Sequence, residues 1–224
     1  MTYRMTPSVR IAMVGIFSAL YVVFSMIPVS QFIGGPAFLT ANILFPAILV
    51  MVFPFREAIL IAIIGGLLAG YLPPTAFFGY LWFFLPLTGT LIGKVALRAS
   101  EGDKVAGIVP IIYFSIIAWA YLRIHYMFPY WIVPHLVAGI LCSLLPFLSG
   151  KIERLKDFII AYNATMGEQS AMLMIAVYVF NLPTEVFIFA FPLMLIWERL
   201  TLGTIAGTLV AKAIRKTMVG IAIK

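Results

Sequence analysis

The stretch IAMVGIFSALYVVFSMIPVSQFIGGPAFLTANILFPAILVMVFPF, residues 11–55, contains no charged side chain. The rest of the chain is similar, since 63% of its 224 residues are hydrophobic and only 10% are Asp, Glu, Lys or Arg. A soluble domain needs charges over roughly a third of its surface, whereas a bundle that faces lipid needs few outside its ends. The composition therefore predicts a multi-pass protein of the cell membrane.

The apolar runs are predicted to be helices, because lipid offers no hydrogen-bond partner to an open sheet edge. Turn-forming residues separate eight apolar segments, which cover residues 10–27, 38–53, 57–72, 75–97, 104–124, 131–149, 157–180 and 185–212. They predict a single all-α domain, a polytopic transmembrane helix bundle of six to eight spans. GTLIGKVALR (89–98) resembles GTLVAKAIRK (207–216), which indicates either a four-plus-four helix repeat or basic anchors at two similar helix ends.

The basic residues predict the orientation of this bundle. All lysines and arginines except Arg123 and Arg199 fall on one side of the drawing. By the positive-inside rule that side is cytoplasmic, so both termini are cytoplasmic and the joints near 28–37, 70–76, 124–131 and 181–185 face outward. The net charge of +7 has this topological origin and does not imply nucleic acid.

The seventh segment allows two interpretations. Residues 151–167, KIERLKDFIIAYNATMG, mix charged with apolar positions. They either begin a spanning helix or lie along the cytoplasmic interface, which would leave 168–182 as a short span.

Charged residues inside the apolar segments are candidates for function. Glu198 and Arg199 fall near the middle of the last helix, where a charge costs about 2.5 to 3.5 kcal/mol. Neighbours on a helix point about 100° apart, so each must meet a group elsewhere. Glu168 reaches a similar depth if the seventh segment spans. These groups either contact a solute, or Glu168 and Arg199 form a bridge that holds helices 7 and 8 together.

The outward joint between the fifth and sixth segments is rich in aromatic and basic side chains. Its candidate residues are Trp119, Arg123, His125, Tyr130, Trp131 and His135. An interfacial aromatic belt explains the rings, whereas a cation with two imidazoles suits a flat, anionic or heteroaromatic solute. No HExxH or comparable spacing is present, so we predict no metal and no cofactor.

Small residues recur four positions apart, at Gly15/Ala19, Gly66/Gly70, Gly89/Gly93 and Gly203/Gly207. Such pairs let another helix approach closely, and for the last three pairs we predict packing inside the bundle. Ala12, Gly15 and Ala19 form a smooth stripe on the first helix that is a candidate surface for a partner protein. Pro46, Pro86 and Pro192 are predicted to lie well inside helices and to bend or interrupt them.

Three stretches carry a family resemblance. RIAMVGIFSALYVVF (10–24) resembles the first helix of S components, the substrate-binding subunits of energy-coupling factor (ECF) vitamin transporters. FPAILVMVFPFREAILIAIIGGLLAGYL (45–72) looks like their second and third helices, and WERLTLGTIAGTLVAKAIRK (197–216) looks like their final helix. The likeness covers roughly half the chain, although S components have six spans and eight segments can be drawn here.

The resemblance implies two functional surfaces. In that family a small-residue stripe on the first helix docks the coupling subunit, and Gly15 and Ala19 match it. The family's solute pocket lies in the outward half of the bundle. By position this implicates Gln31, Trp82, Trp131, Glu168 and Glu198.

Three functions follow in order. The first is a solute-binding subunit for uptake of a small micronutrient or vitamin, embedded in lipid and docked on a membrane coupling subunit of an ATP-driven module. The chain has no GxxxxGK[ST] loop of its own. The alternative is a non-catalytic scaffold or assembly subunit of a larger membrane complex. An intramembrane enzyme that uses His125, His135, Glu168 or Glu198 ranks third, because no catalytic motif is present.

Overall fold

The structure is a computed structural model that describes residues 6–31, 38–73, 75–148 and 152–222. The described chain is helical apart from one short strand pair. In chain order the helices and strands are α1 Pro7–Ser25, β1 Pro28–Gln31, β2 Phe38–Thr40, α2 Phe45–Val52, α3 Phe55–Ala69, α4 Phe84–Ser100, α5 Lys104–Leu122, α6 Ile132–Leu144, α7 Glu153–Tyr178, α8 Thr184–Pro192 and α9 Gly207–Ala222. Short 3₁₀ turns cover Ala41–Leu44, Thr75–Phe83, Pro129–Trp131 and Leu145–Phe147, and Leu193–Ala206 is wound as a π-helix.

Long apolar helices support the prediction of a multi-pass membrane protein. Within the described residues, five helical stretches are long and apolar enough to cross a membrane: Pro7–Ser25, Thr75–Ser100, Lys104–Leu122, Pro129–Phe147 and Leu193–Thr217. Helix α7 has the length, at 26 residues, but carries several charged side chains. Helices α2 and α3 are shorter, with 8 and 15 residues.

The prediction of one helix over residues 38–53 is wrong at its start. Residues 38–40 form β2, which pairs antiparallel with β1 so that Gln31 lies opposite Phe38. Helix α2 cannot extend past Val52, because Phe53 is extended and Pro54 follows it. The strand pair satisfies the backbone of 38–40 without a helix, and α2 is buried among α4, α7 and α9, where it need not face lipid.

A lysine side chain provides hydrogen-bond donors to backbone carbonyls at the C-terminal end of α2. The ammonium group of Lys94, on α4, donates hydrogen bonds to the carbonyl of Val50, at 2.7 Å, and to the carbonyl of Phe53. The last carbonyls of a helix have no partner within the helix and carry partial negative charge, so a cation there is favourable. Lys94 therefore fixes the break between α2 and α3.

Helix α7 is the centre of the bundle. Every residue from Ile159 to Ser170 is buried, and α7 packs most extensively against α4. This burial favours the alternative in which the segment begins a helix inside the bundle over the one in which 151–167 lie along the membrane interface. Polar residues that look interfacial in the sequence are buried because other polar groups surround them.

The glycine pairs predicted to pack do so. A Cβ placed on Gly93 of α4 would lie 2.4 Å from Cγ2 of Val50 and 2.7 Å from Cβ of Ala164. A Cβ on Gly70 would lie 2.1 Å from the carbonyl oxygen of Gly79, and one on Gly203 would lie 2.6 Å from Thr165. Neighbouring backbone and side chains thus occupy the space that a larger residue needs.

The three prolines lie at the ends of α-helical segments. Pro46 is the second residue of α2 and Pro86 the third of α4, and at these first-turn positions no intrahelical donor is lost. Pro192 is the last residue of α8, where the π-helix begins. A change in helix winding therefore lies next to each proline, from 3₁₀ to α at Pro46 and Pro86 and from α to π at Pro192. This agrees with the expected interruption of these helices.

The π-helix continues α8 into α9 and carries Glu198 and Arg199. In this winding a backbone bond joins residues five apart, and such segments are often found at functional sites. The hydroxyls of Thr201 and Thr204 donate five residues back, to the carbonyls of Ile196 at 2.8 Å and Arg199 at 2.6 Å.

Ion pairs gather basic residues at one end of the bundle. Arg10 meets Glu57 at 3.6 Å, Arg98 meets Asp103 at 3.0 Å, and Lys212 meets Asp157 at 2.6 Å. The first pair joins the start of α1 to the start of α3, the second joins the end of α4 to the α4–α5 turn, and the third joins α9 to the start of α7. The joints predicted to face outward lie at the opposite end.

Candidate functional site

A buried ion pair links α7 to the π-helix. Nη1 of Arg199 lies 3.2 Å from Oε2 of Glu168, and both side chains are only 3% exposed. The same nitrogen donates to the carbonyl of Thr165 at 3.2 Å. The bridge that the sequence analysis offered as one of two alternatives is therefore present.

Further polar side chains surround this pair. Asn42 donates to the hydroxyl of Tyr21 at 2.9 Å and accepts from Thr40 at 2.6 Å, which connects α1 to the turn before α2. Glu198 is also buried. Buried polar groups of this kind are stable only when they satisfy one another, so the interior is a connected polar layer between apolar regions.

Trp82 is buried at the edge of this layer. Its ring lies 5.2 Å from the ring of Phe78, between centroids, and Trp82 also lies beside Tyr21. Phe78 in turn belongs to the wall of a cleft. Trp82 thus lies between the polar layer and that cleft.

The cleft lies at the end of the bundle opposite the basic residues. Three joints predicted to face outward converge on it, and their aromatic side chains form much of its wall: Phe77, Phe78, Trp131, Phe180 and Phe187. The water-accessible space is about 20 Å³, room for roughly one water molecule. The ring centroids of Phe77 and Phe180, which both line the cleft, lie 4.4 Å apart.

Gln169 is the polar member of the cleft wall. The residue is 1% exposed, and its Oε1 accepts no hydrogen bond from the described residues. It follows Glu168 directly on α7, so it lies between the ion pair and the apolar cleft. Gln169 was not among the site residues predicted from the sequence, because a polar residue on a polar helix gives no signal of burial.

Hydrogen bonds hold Trp131 and the two histidines around the cleft. Nε1 of Trp131 donates to the carbonyl of Phe187 at 2.8 Å, and Nδ1 of His135 lies 2.7 Å from the carbonyl of Trp131. Nδ1 of His125 lies 2.9 Å from the hydroxyl of Thr184 at the start of α8. These contacts connect α6 and the α5–α6 joint to α8.

Two effects act in opposite directions on the pKa of His125. Burial lowers the pKa of His125 below its ordinary value of 6.5, since the charged imidazolium loses hydration. The carboxylate of Glu185 acts in the opposite direction, more weakly. His125 therefore favours the neutral form in the folded protein.

Several predicted site residues lie away from the cleft. Trp119 is 62% exposed on the outer face of α5, with the guanidinium of Arg123 5.1 Å from its ring centroid. Tyr130 is 59% exposed. Gln31 ends β1, and its side chain lies outside the described residues. Arg123 thus packs on an exposed ring, and the cation expected for an anionic solute does not line the cleft.

The small-residue stripe of α1 lies on the outside of the bundle. Ala12, Gly15 and Ala19 are exposed, and a Cβ added to Gly15 would meet nothing within 4 Å. The open space around Gly15 therefore distinguishes it from the glycines of α3 and α4, which are packed against neighbouring residues.

Among the described residues, no group of three or more His, Cys, Asp or Glu side chains is arranged to hold a metal ion. Comparison of the chain with family models, with curated proteins and with solved structures finds no match.

Proposed function

We propose that this chain is a membrane solute-binding subunit that captures a small micronutrient and docks on an ATP-driven coupling module. The observation that carries the proposal is the cleft at the end opposite the basic residues, which is lined in part by Gln169, a residue whose buried Oε1 has no hydrogen-bond donor among the described residues. An unpaired buried acceptor costs about 1 to 3 kcal/mol. A solute that donates to this oxygen recovers that cost.

The small space inside the cleft is consistent with a site that captures a solute rather than with an open pore. Room for about one water is far too little for a vitamin-sized solute, so binding requires the aromatic side chains at the joints to move. Phe77 and Phe180 both belong to these joints. Movement of short joints at one end leaves the polar layer around Glu168 and Arg199 in place.

The exposed stripe of α1 supports the docking half of the proposal. A helix face of Ala12, Gly15 and Ala19 allows another membrane helix to approach closely. The stripe is unoccupied by the rest of the described chain, and its position matches the docking surface that the S-component resemblance implies.

Native mass spectrometry of the chain purified from its own membranes tests capture. We expect a small molecule to be retained by the wild type and lost in Ala176→Trp, which fills the cleft. The matched control is Ile112→Trp on the exposed face of α5, which should retain the molecule. If the wild type retains no small molecule, or if Ala176→Trp retains it while remaining folded, solute capture is rejected.

A scaffold or assembly subunit is the second candidate. The specific observation in its favour is the mutual pairing of Glu168 and Arg199, because two charges that satisfy each other need no solute. A scaffold predicts that partner proteins co-purify but that no small molecule does. The same mass spectra therefore separate the two functions.

A further inference from the structure

The chemistry of the cleft wall restricts the solute that it accepts. Aromatic rings, together with Met172, Leu173 and Met194, supply nearly the whole surface. No charged side chain of the described residues lines it. A charged group transferred into such a wall would lose its hydration without gaining a partner.

The nearest interior charges are not available to a solute. Glu168 and Arg199 are paired at 3.2 Å and are each 3% exposed. An anionic solute would have to take Arg199 from Glu168 and leave that carboxylate buried without its cation, which is strongly unfavourable. The wall and the ion pair thus both disfavour a charged occupant.

One acceptor remains to orient a solute. Gln169 is 1% exposed, and its Oε1 has no donor among the described residues. Flat rings stack favourably on aromatic walls of this kind, in offset or edge-to-face contact. A single hydrogen bond to Gln169 then fixes which edge of the ring points toward α7.

We propose that the cleft takes a neutral, flat and mostly apolar solute that donates one hydrogen bond to Gln169. This inference rests on the proposed solute-binding function, and it excludes anionic solutes such as carboxylates and phosphates. It differs from the anionic solute considered from the sequence, because Arg123 stacks on Trp119 at the outer surface.

Three small probes of one ring size test the inference by equilibrium dialysis against protein-free micelles of the same detergent. Indole is neutral and carries one N–H donor, benzothiophene has the same shape without a donor, and indole-3-acetate is an anion. We expect indole to bind about tenfold more tightly than benzothiophene, as one buried hydrogen bond predicts. We expect indole-3-acetate to bind at least tenfold more weakly than indole.

Variants assign these preferences to the cleft. Gln169→Met keeps a similar volume and removes the acceptor, so it should reduce the ratio of indole to benzothiophene affinity to near one. Ala176→Trp should abolish binding of all three probes. The ratio measured in the wild type needs no variant, so it tests the donor even where a variant fails to fold.

The outcomes distinguish this inference from the function on which it rests. Tighter binding of indole-3-acetate than of indole, a ratio near one in the wild type, or a retained native solute that carries a carboxylate or phosphate overturns the inference and leaves solute capture standing. If the native chain retains no small molecule and Ala176→Trp does not change binding of any probe, both proposals fall together.

Discussion

At the scale of single residues, the pairing of Glu168 with Arg199 decides how the interior tolerates charge. Each side chain is nearly inaccessible, and each would cost several kcal/mol if left alone in the bundle. Their pairing connects α7 to the π-helix. The sequence already suggested this bridge, because two opposite charges at similar depth on adjacent helices need partners.

The bridge makes a double-mutant prediction. Glu168→Gln or Arg199→Met alone should lower the free energy of unfolding by about 3 to 5 kcal/mol, because each leaves one buried charge unpaired. The double variant should lose clearly less than the sum of the two. Denaturant unfolding in a fixed detergent measures the three values. Additive losses would show that the two side chains do not act as a pair.

His125 predicts a pH dependence of stability. Because its folded pKa lies below the ordinary value of 6.5, the unfolded chain binds the extra proton first as the pH falls. The contribution of His125 is therefore fully present above pH 6.5 and decreases as the pH drops below it, until the folded pKa is reached. We expect the melting temperature of wild type minus that of His125→Gln to fall between pH 7 and pH 5. A difference that stays constant over this range contradicts the assignment.

Only some residues in and beside the cleft wall could be predicted from the sequence. Trp131 and Trp82 were selected from the sequence and are buried at or beside the cleft. Gln169, Met172 and Phe187 were not selected, since apolar and amide side chains occur throughout the helices. Only the convergence of three joints distinguishes them, and that convergence is a tertiary property.

At the scale of elements, glycine spacing separates internal from external helix faces. Gly93 is enclosed by Val50 and Ala164, whereas the space around Gly15 is open. The same small-xxx-small pattern thus has two different environments. Sequence spacing predicts that a face is smooth but not which helix covers it.

Paired substitutions test this difference. Gly93→Ala should destabilise the protein by about 1 to 3 kcal/mol, because its methyl group overlaps Val50 and Ala164. Gly15→Ala should leave the melting temperature of the isolated chain nearly unchanged. Thermal unfolding of both variants in one detergent supplies the comparison. Equal effects would mean that Gly15 is also packed within the chain.

Most helices could be predicted from the sequence, but the short strand pair and the helix that follows it could not. Apolar runs bounded by turn residues fix helices α1, α3, α5 and α6 to within a few residues, because membrane helices are uninterrupted and apolar. The strand pair and the shortness of α2 were not predicted, because their residues are as apolar as those of the membrane helices. Burial of α2 inside the bundle removes the requirement to reach across lipid.

At the scale of the whole molecule, the distribution of charge predicts which end faces the cytoplasm. The ion pairs of Arg10, Arg98 and Lys212 lie at one end, and the cleft lies at the other. From the positive-inside rule we predict that the cleft faces the outside of the cell. The proposed uptake function requires this orientation.

Labelling of single cysteines tests the orientation. Cys142 is buried, so the wild-type chain should react poorly with thiol reagents and serve as its own background. A membrane-impermeant maleimide applied to intact cells should label Met127→Cys, in the exposed α5–α6 joint, but not Glu101→Cys in the α4–α5 turn. The reverse pattern would place the cleft in the cytoplasm.

Lys94 has a consequence for chemical footprinting. Its ammonium group is held by two carbonyls at the end of α2, whereas Lys216 on α9 is exposed. An acylating reagent needs an amine that is free of hydrogen-bond partners, and the Lys94 amine is held by the carbonyls of Val50 and Phe53 while α2 and α4 remain together. The rate at which Lys94 becomes acylated, measured by peptide mapping, would therefore report how often these two helices separate and the bundle opens.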